Sequence, residues 1–229
     1  MALPGASAVR PADAVNVAAT CVGTSALGPG RRSVVWVQGC PFRCRGCISP
    51  EWIPERVADV VAAQELAAHL LSDPAVTGLT FSGGEPMAQA AALAAVARRA
   101  RAARDVSLVC FTGYSLERLR ERPPSPGVPD LLAEVDVLVD GLYLEGRNDG
   151  RGLRGSDNQR IHHLSPRLVS SGYDFEGRVR TAEIRVGGDD RAADLLLVGV
   201  PPPGLLERWH EVADRIRHGR TSLEQAQRG

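Results

Sequence analysis

The chain has 229 residues, 44% of them apolar, which is enough for one domain with an extension. Its 27 basic and 27 acidic side chains cancel to a formal net charge of zero, which excludes a sequence-independent grip on nucleic acid, since that needs surplus cations. Every one of the basic residues is arginine, so a lysine Schiff base is excluded too.

Residues 1–16, rich in Ala and Pro, are expected to be disordered. No apolar run approaches the roughly 20 residues that span a bilayer. The N-terminus also lacks the apolar segment of a secretory signal, so the expected location is the cytoplasm, with no membrane partner. Ser33–Gly39, "SVVWVQG", reads as a buried strand. Val57–Asp73 reads as a helix stopped by Pro74. Gly78–Ser82 is a strand closed by Gly83 and Gly84, and Met87–Asp105 is a helix rich in Ala and Arg. A strand over Val106–Thr112 leads to a helix over Ser115–Arg122, with Ser115 as its N-cap. "PPSPGVP" reads as a linker, and Val135–Gly141 as another strand. Further on, Thr181–Val186 and Leu195–Val200 flank "GGDD" as a hairpin. Leu205, Leu206, Trp209, Val212, Ala213 and Ile216 mark an amphipathic helix.

Strands alternating with helices predict α/β units around a parallel sheet. Each unusual stretch then falls just after a strand, where parallel α/β folds gather their ligands. Three of the five cysteines, Cys40, Cys44 and Cys47, follow the first of these strands in a Cys-x3-Cys-x2-Cys loop. An odd, clustered set is not a disulfide framework. Three thiolates can hold three irons of a cubane cluster and leave the fourth open, as a catalytic zinc keeps one position free. A structural zinc is the alternative, with His162 or His163 as a further ligand, although no second cysteine pair is present. Cys21 and Cys110 read as small buried hydrophobes.

With "SGGEP" (Ser82–Pro86) after the next strand, the chain resembles the radical S-adenosylmethionine (SAM) enzymes. "GPGRR" (Gly28–Arg32), "FTGYSLERL" (Phe111–Leu119), "VDVLVDGLYLEGR" and "LRGSDNQRI" (Leu153–Ile161) make it most similar to the activating proteins of glycyl radical enzymes, in the anaerobic ribonucleotide reductase branch. The resemblance implies a [4Fe-4S] cluster on Cys40, Cys44 and Cys47, with SAM as cosubstrate. Gly46 and Ile48 would meet the adenine through backbone, and Gly83, Gly84 and Glu85 would hold the methionine moiety. Tyr114 and Asp140 would shape the SAM pocket, or serve only as a packed aromatic and a helix-capping or turn aspartate. Arg154, Ser156, Asn158 and Gln159 would order a loop over the site, meet a partner, or simply bond locally.

The implied fold is a partial, open βα barrel of parallel strands with helices outside, over a core domain at 17–177. The hairpin and amphipathic helix form an extension at 178–229. The implied activity is cleavage of SAM to a 5′-deoxyadenosyl radical that abstracts hydrogen, so as to install a glycyl radical on a partner enzyme. A flavodoxin- or ferredoxin-type protein would donate the electron. No catalytic side chain is assigned, because the cofactor carries the hard chemistry. Two departures keep modification of a peptide or small metabolite open: Leu27 before Gly28-Pro29-Gly30, and the extension itself.

Overall fold

The computed structural model describes residues 13–189 and 192–205. Seven strands form one sheet: β1 (Ala14–Thr24), β2 (Arg32–Val37), β3 (Asp59–Ala62), β4 (Gly78–Gly83), β5 (Ser107–Thr112), β6 (Val137–Asp140) and β7 (Arg160–His163). Their order is β3-β1-β2-β4-β5-β6-β7. The central four, β2, β4, β5 and β6, run parallel. The flanking pairs β1–β2, β1–β3 and β6–β7 are antiparallel. The helices are α1 (Ala63–Leu70), α2 (Ala90–Ala103), α3 (Leu116–Glu121) and α4 (Val128–Glu134).

Side-chain alternation along the parallel strands divides the core in two. Val35, Val37, Leu79, Phe81, Leu108 and Cys110 face the helices and pack with Leu66, Leu93, Leu119 and Leu131. Val34, Trp36, Val109 and Val137 face the other way, where Leu27, Leu153, Leu168, Phe175 and Val198 cover them. Helices therefore clothe one face, and loops with part of the C-terminal strand pair clothe the opposite one.

Several elements differ from the sequence expectation. Ala14, Val15 and Asn16 are not disordered but open β1, where Asn16 pairs opposite Val60. Residues 59–62, expected to be helical, are β3, and the helix begins only at Ala63. The Ala-rich register continues through Val60 and Val61 without a break, so periodicity alone hides the join. The "PPSPGVP" stretch is not wholly linker: α4 starts inside it, with Pro129 in its first turn, where a missing N–H costs nothing. Ser115 does cap α3, its hydroxyl accepting from the Arg118 N–H at 3.2 Å.

Beyond the sheet, β8 (Ala182–Asp189) and β9 (Ala192–Gly199) pair antiparallel. Glu183 accepts from the Ser25 N–H at 2.9 Å, and Arg185 donates to the Gly23 carbonyl at 2.7 Å. The contacts tie the pair to the end of β1 and to the turn that follows it. The amphipathic helix expected over 205–216 lies, past Leu205, outside the described residues. Among the described residues no helix is long and apolar enough to cross a membrane.

Candidate functional site

The C-terminal ends of the four parallel strands meet on one rim. Chain continuity then brings together the cysteine loop after β2, Gly84-Glu85 after β4, Gly113-Tyr114 after β5 and Gly141 after β6. Two hydrogen bonds join the first pair of strand ends: Gly84 N–H to Val37 O (2.7 Å) and Glu85 N–H to Gly39 O (2.8 Å). So close an approach leaves no room for a side chain. A Cβ on Gly84 would lie 2.2 Å from the Gly39 oxygen, and one on Gly83 would lie 2.3 Å from the Val37 nitrogen. The double glycine is thus required by the contact between two strand ends, and it exposes backbone to the same cavity.

The base of the cysteine loop is held by polar residues that the motif does not display. Buried Gln89 accepts from the Asn16 N–H at 2.8 Å and donates to the Gln38 carbonyl at 3.0 Å. Gln38 donates to the Pro54 carbonyl at 2.8 Å. The Gly39 and Cys40 N–H groups donate to Trp52 and Ile53 carbonyls, which folds the following turn back over the loop. Phe42 packs edge-on against Tyr114, with ring centroids 4.7 Å apart.

These loops enclose a cavity of about 530 Å³, within the range of small-molecule sites. Cys40, Cys44 and Cys47 line it, as do Gly46, Ile48, Gly83, Gly84 and Glu85. The three thiols are free and half-buried. Burial pushes the Cys40 thiol up to about 11 and raises Cys47 as well, so binding to metal would displace protons. Among the described residues no group of three or more His, Cys, Asp or Glu side chains converges to hold a single ion. A cubane does not require that convergence, because each thiolate takes a different iron. Three free thiols on one glycine-lined cavity fit such a cluster, with space beside it for a ligand.

Glu85 is buried at this site. Its carboxylate accepts from Met87 N–H (2.9 Å), Thr112 hydroxyl (2.8 Å) and Gly113 N–H (2.8 Å). Burial outweighs those donors and holds its pKa up at about 7. A cationic ligand beside it would favour the ionised form.

Tyr114 and Asp140 stand behind the rim and are not among the residues lining the cavity. Tyr114 supports Phe42, and its carbonyl accepts from the Gly141 N–H at 3.1 Å. Asp140 accepts from the Leu116 N–H (2.6 Å) and from Arg160 (2.8 Å). It also lies 3.0 Å from His162 Nε2. His163 packs against Phe175, so neither histidine belongs to the cysteine loop. Of the polar loop, Gln159 reaches the cavity. It is locked by accepting from Gly155 N–H (2.7 Å) and donating to the Gly141 carbonyl (2.7 Å). Ser156 accepts from the Leu144 N–H, Asn158 donates to the Leu142 carbonyl, and Arg154 pairs with Asp149. These bonds shape the loop from within.

Sequence reasoning did not single out Trp36, Phe42, Tyr143, Asn148 or the Gly199–Gly204 segment, all of which line the cavity. The aromatic residues carry no motif of their own, and the last segment is remote in the chain.

The sequence model of the 4Fe-4S single cluster domain matches residues 26–162, the stretch that carries all three cysteines and all four strand ends. Among curated proteins, the chain is 34% identical to the anaerobic ribonucleoside-triphosphate reductase-activating protein of Vibrio cholerae over 148 residues, 60% of this chain and 91% of that protein. It is 32% identical to the phage T4 protein of the same name, covering 58% of this chain and 85% of the relative. For the Escherichia coli K12 protein the values are 31%, 60% and 91%. The chain therefore belongs to the radical SAM family of 4Fe-4S single-cluster proteins, in the branch of the glycyl radical activating enzymes.

Proposed function

We propose that the protein installs a glycyl radical on a partner enzyme, an anaerobic ribonucleotide reductase being the partner its relatives name. One observation carries the reading: three thiols and the Gly83-Gly84-Glu85 segment open onto one cavity at the C-terminal rim of a parallel sheet. Cys40, Cys44 and Cys47 hold the [4Fe-4S] cluster. Once bound and reduced, such a cluster would supply the electron for reductive cleavage of the SAM sulfonium, the source of a 5′-deoxyadenosyl radical able to abstract a hydrogen atom from the partner's glycine.

The chain's own residues bind and orient. Gly83 and Gly84 offer backbone to the methionine moiety, and Glu85 faces its ammonium. Gly46 and Ile48 meet the adenine. Tyr114 and Asp140 serve the pocket indirectly, through Phe42 and through the loop at Gly141. Trp36, Phe111 and Leu27, which line the cavity floor, exclude water from the radical. The sheet acts as a partial, open barrel whose inner face holds the site. A flavodoxin- or ferredoxin-type protein delivers the electron.

The test is electron paramagnetic resonance of the reduced, cluster-loaded protein mixed with SAM and an anaerobic ribonucleotide reductase. We expect an organic radical borne by the partner, with 5′-deoxyadenosine as coproduct. If deoxyadenosine accumulates with no partner-borne radical, the activation reading falls, and modification of a peptide or small metabolite is the reading to test next.

A further inference from the structure

One wall of the cavity comes from outside the family-matched stretch. Residues 26–162 supply the cluster loop and the strand ends, but Gly199, Val200, Pro201, Pro202, Pro203 and Gly204 line the same cavity. Gly199, at φ +135°, bends the chain out of β9; a Cβ there would lie 2.6 Å from the Thr181 oxygen. The turn then closes with a hydrogen bond from Leu205 N–H to Pro202 O at 3.2 Å. Three consecutive prolines have no N–H to donate and little freedom to lose. The wall is therefore stiff before any ligand arrives, and its three prolines offer no donor for pairing with an incoming strand.

Arg180 pins this wall. Its side chain is 1% exposed. It donates to Pro201 O (3.3 Å) on the wall, and to Arg151 O (3.2 Å), Arg154 O (2.5 Å), Gly155 O (3.2 Å) and Asn148 Oδ1 (2.6 Å) on the facing loop. Asn148 and Gly155 are themselves cavity-lining. One guanidinium thus fixes the distance between two sides of the cavity mouth. The seam is close at Gly150 too, where an added Cβ would lie 3.1 Å from Pro203 Cδ.

We propose that the Val200–Gly204 turn is a specificity wall of the substrate channel, with Arg180 as its positioning residue. It admits an extended polypeptide segment, with a small residue at the reacting position, by shape rather than by strand pairing. The inference rests on the reading of the cavity as the site that receives the partner's glycine. It goes beyond that reading in assigning partner choice to a part of the chain outside the family-matched residues 26–162.

The test compares the full-length protein with its Arg180→Ala and Arg180→Lys variants. In the cluster-free protein, the rate of maleimide labelling at Cys40, Cys44 and Cys47 is followed by mass spectrometry. Release of a charged group bonded to several carbonyls opens the wall, so labelling is expected to be about tenfold faster in Arg180→Ala and intermediate in Arg180→Lys. In the loaded enzyme, Arg180→Ala is expected to raise the KM for the partner polypeptide by about tenfold, well beyond its effect on the KM for SAM. A folded Arg180→Ala protein with wild-type labelling and wild-type partner KM overturns the proposal. Should that variant fail to fold, Pro202→Trp decides: bulk added to the wall is expected to raise partner KM more than SAM KM, and equal effects on the two overturn it. If the wild type transfers no radical to the partner, the functional reading falls, while the labelling rates still decide whether the wall is there.

Discussion

At the residue scale the chemistry turns on buried groups whose partners are neutral. Glu85 has three N–H and O–H donors and, among the described residues, no cation paired with it, and burial raises its pKa from 4.5 to about 7. Between those two values the folded protein keeps a proton that the unfolded chain has lost. That contribution therefore favours folding at the acid end of the window and is lost as pH rises through it. We expect Glu85→Gln to flatten this part of the pH dependence of the cluster-free protein, measured as urea midpoints between pH 5 and 7.5. The variant should also weaken SAM binding to the loaded protein by about tenfold, since a charged hydrogen bond to the ligand is replaced by a neutral one. A slope equal to wild type would show that Glu85 does not titrate as its burial implies.

At the scale of elements, Arg32 does for the bottom of the sheet what the glycines do for the top. It is fully buried on β2 and donates to Thr80 Oγ1 (2.8 Å) and to the Leu79 carbonyl on β4. It also donates to Ser107 Oγ (2.9 Å) and Ser107 O (3.2 Å) on β5, and to Pro29 O (3.0 Å). Its acceptors are all neutral, and burial lowers its pKa to about 10. The arginine of the Gly-Pro-Gly-x-Arg segment thus stitches three parallel strands at the end opposite the cavity. Arg32→Ala should cost about 3 kcal/mol by leaving buried acceptors unpaired, read as a lower urea midpoint. Iron content per folded chain should match wild type.

The same scale shows why some elements were legible and others were not. β2, β4, β5 and β6 are covered on both faces, so they read as continuous apolar runs. β1 is longer, but its register with β2 shifts between Val17 and Ala19 and again between Cys21 and Thr24, which breaks the alternation that marks a strand. β7, "RIHH", is a short edge strand with no buried residue, and its polarity looks like loop.

For the whole molecule, the rim of the seven-stranded sheet is assembled from segments more than a hundred positions apart, and the cysteine loop is held at its base while its thiols form no disulfide. Loading a cluster onto three points of that loop should tighten the entire fold, because metal binding to the native state alone is folding free energy. We expect about four irons per chain, and a melting temperature about 5 °C or more above the cluster-free form, reversed by a chelator under reducing conditions. Equal melting temperatures would mean that the loop is already as ordered without metal as with it.

The sequence by itself determined the chemistry: the spacing of Cys40, Cys44 and Cys47, the double glycine before Glu85, and their places just after parallel strands are all local, and local spacing is readable along a chain. Only the tertiary structure decided which side chains face the cavity. Tyr114, just after β5, and Asp140, at the end of β6, sit at the right strand ends but turn to Phe42 and Arg160, because hydrogen bonds and packing between neighbouring segments, not position along a strand, set a side chain's direction. The Arg180 pin and the proline wall came from the fold for the same reason: they meet the site across long stretches of chain, and no periodicity or motif records a contact made at that distance.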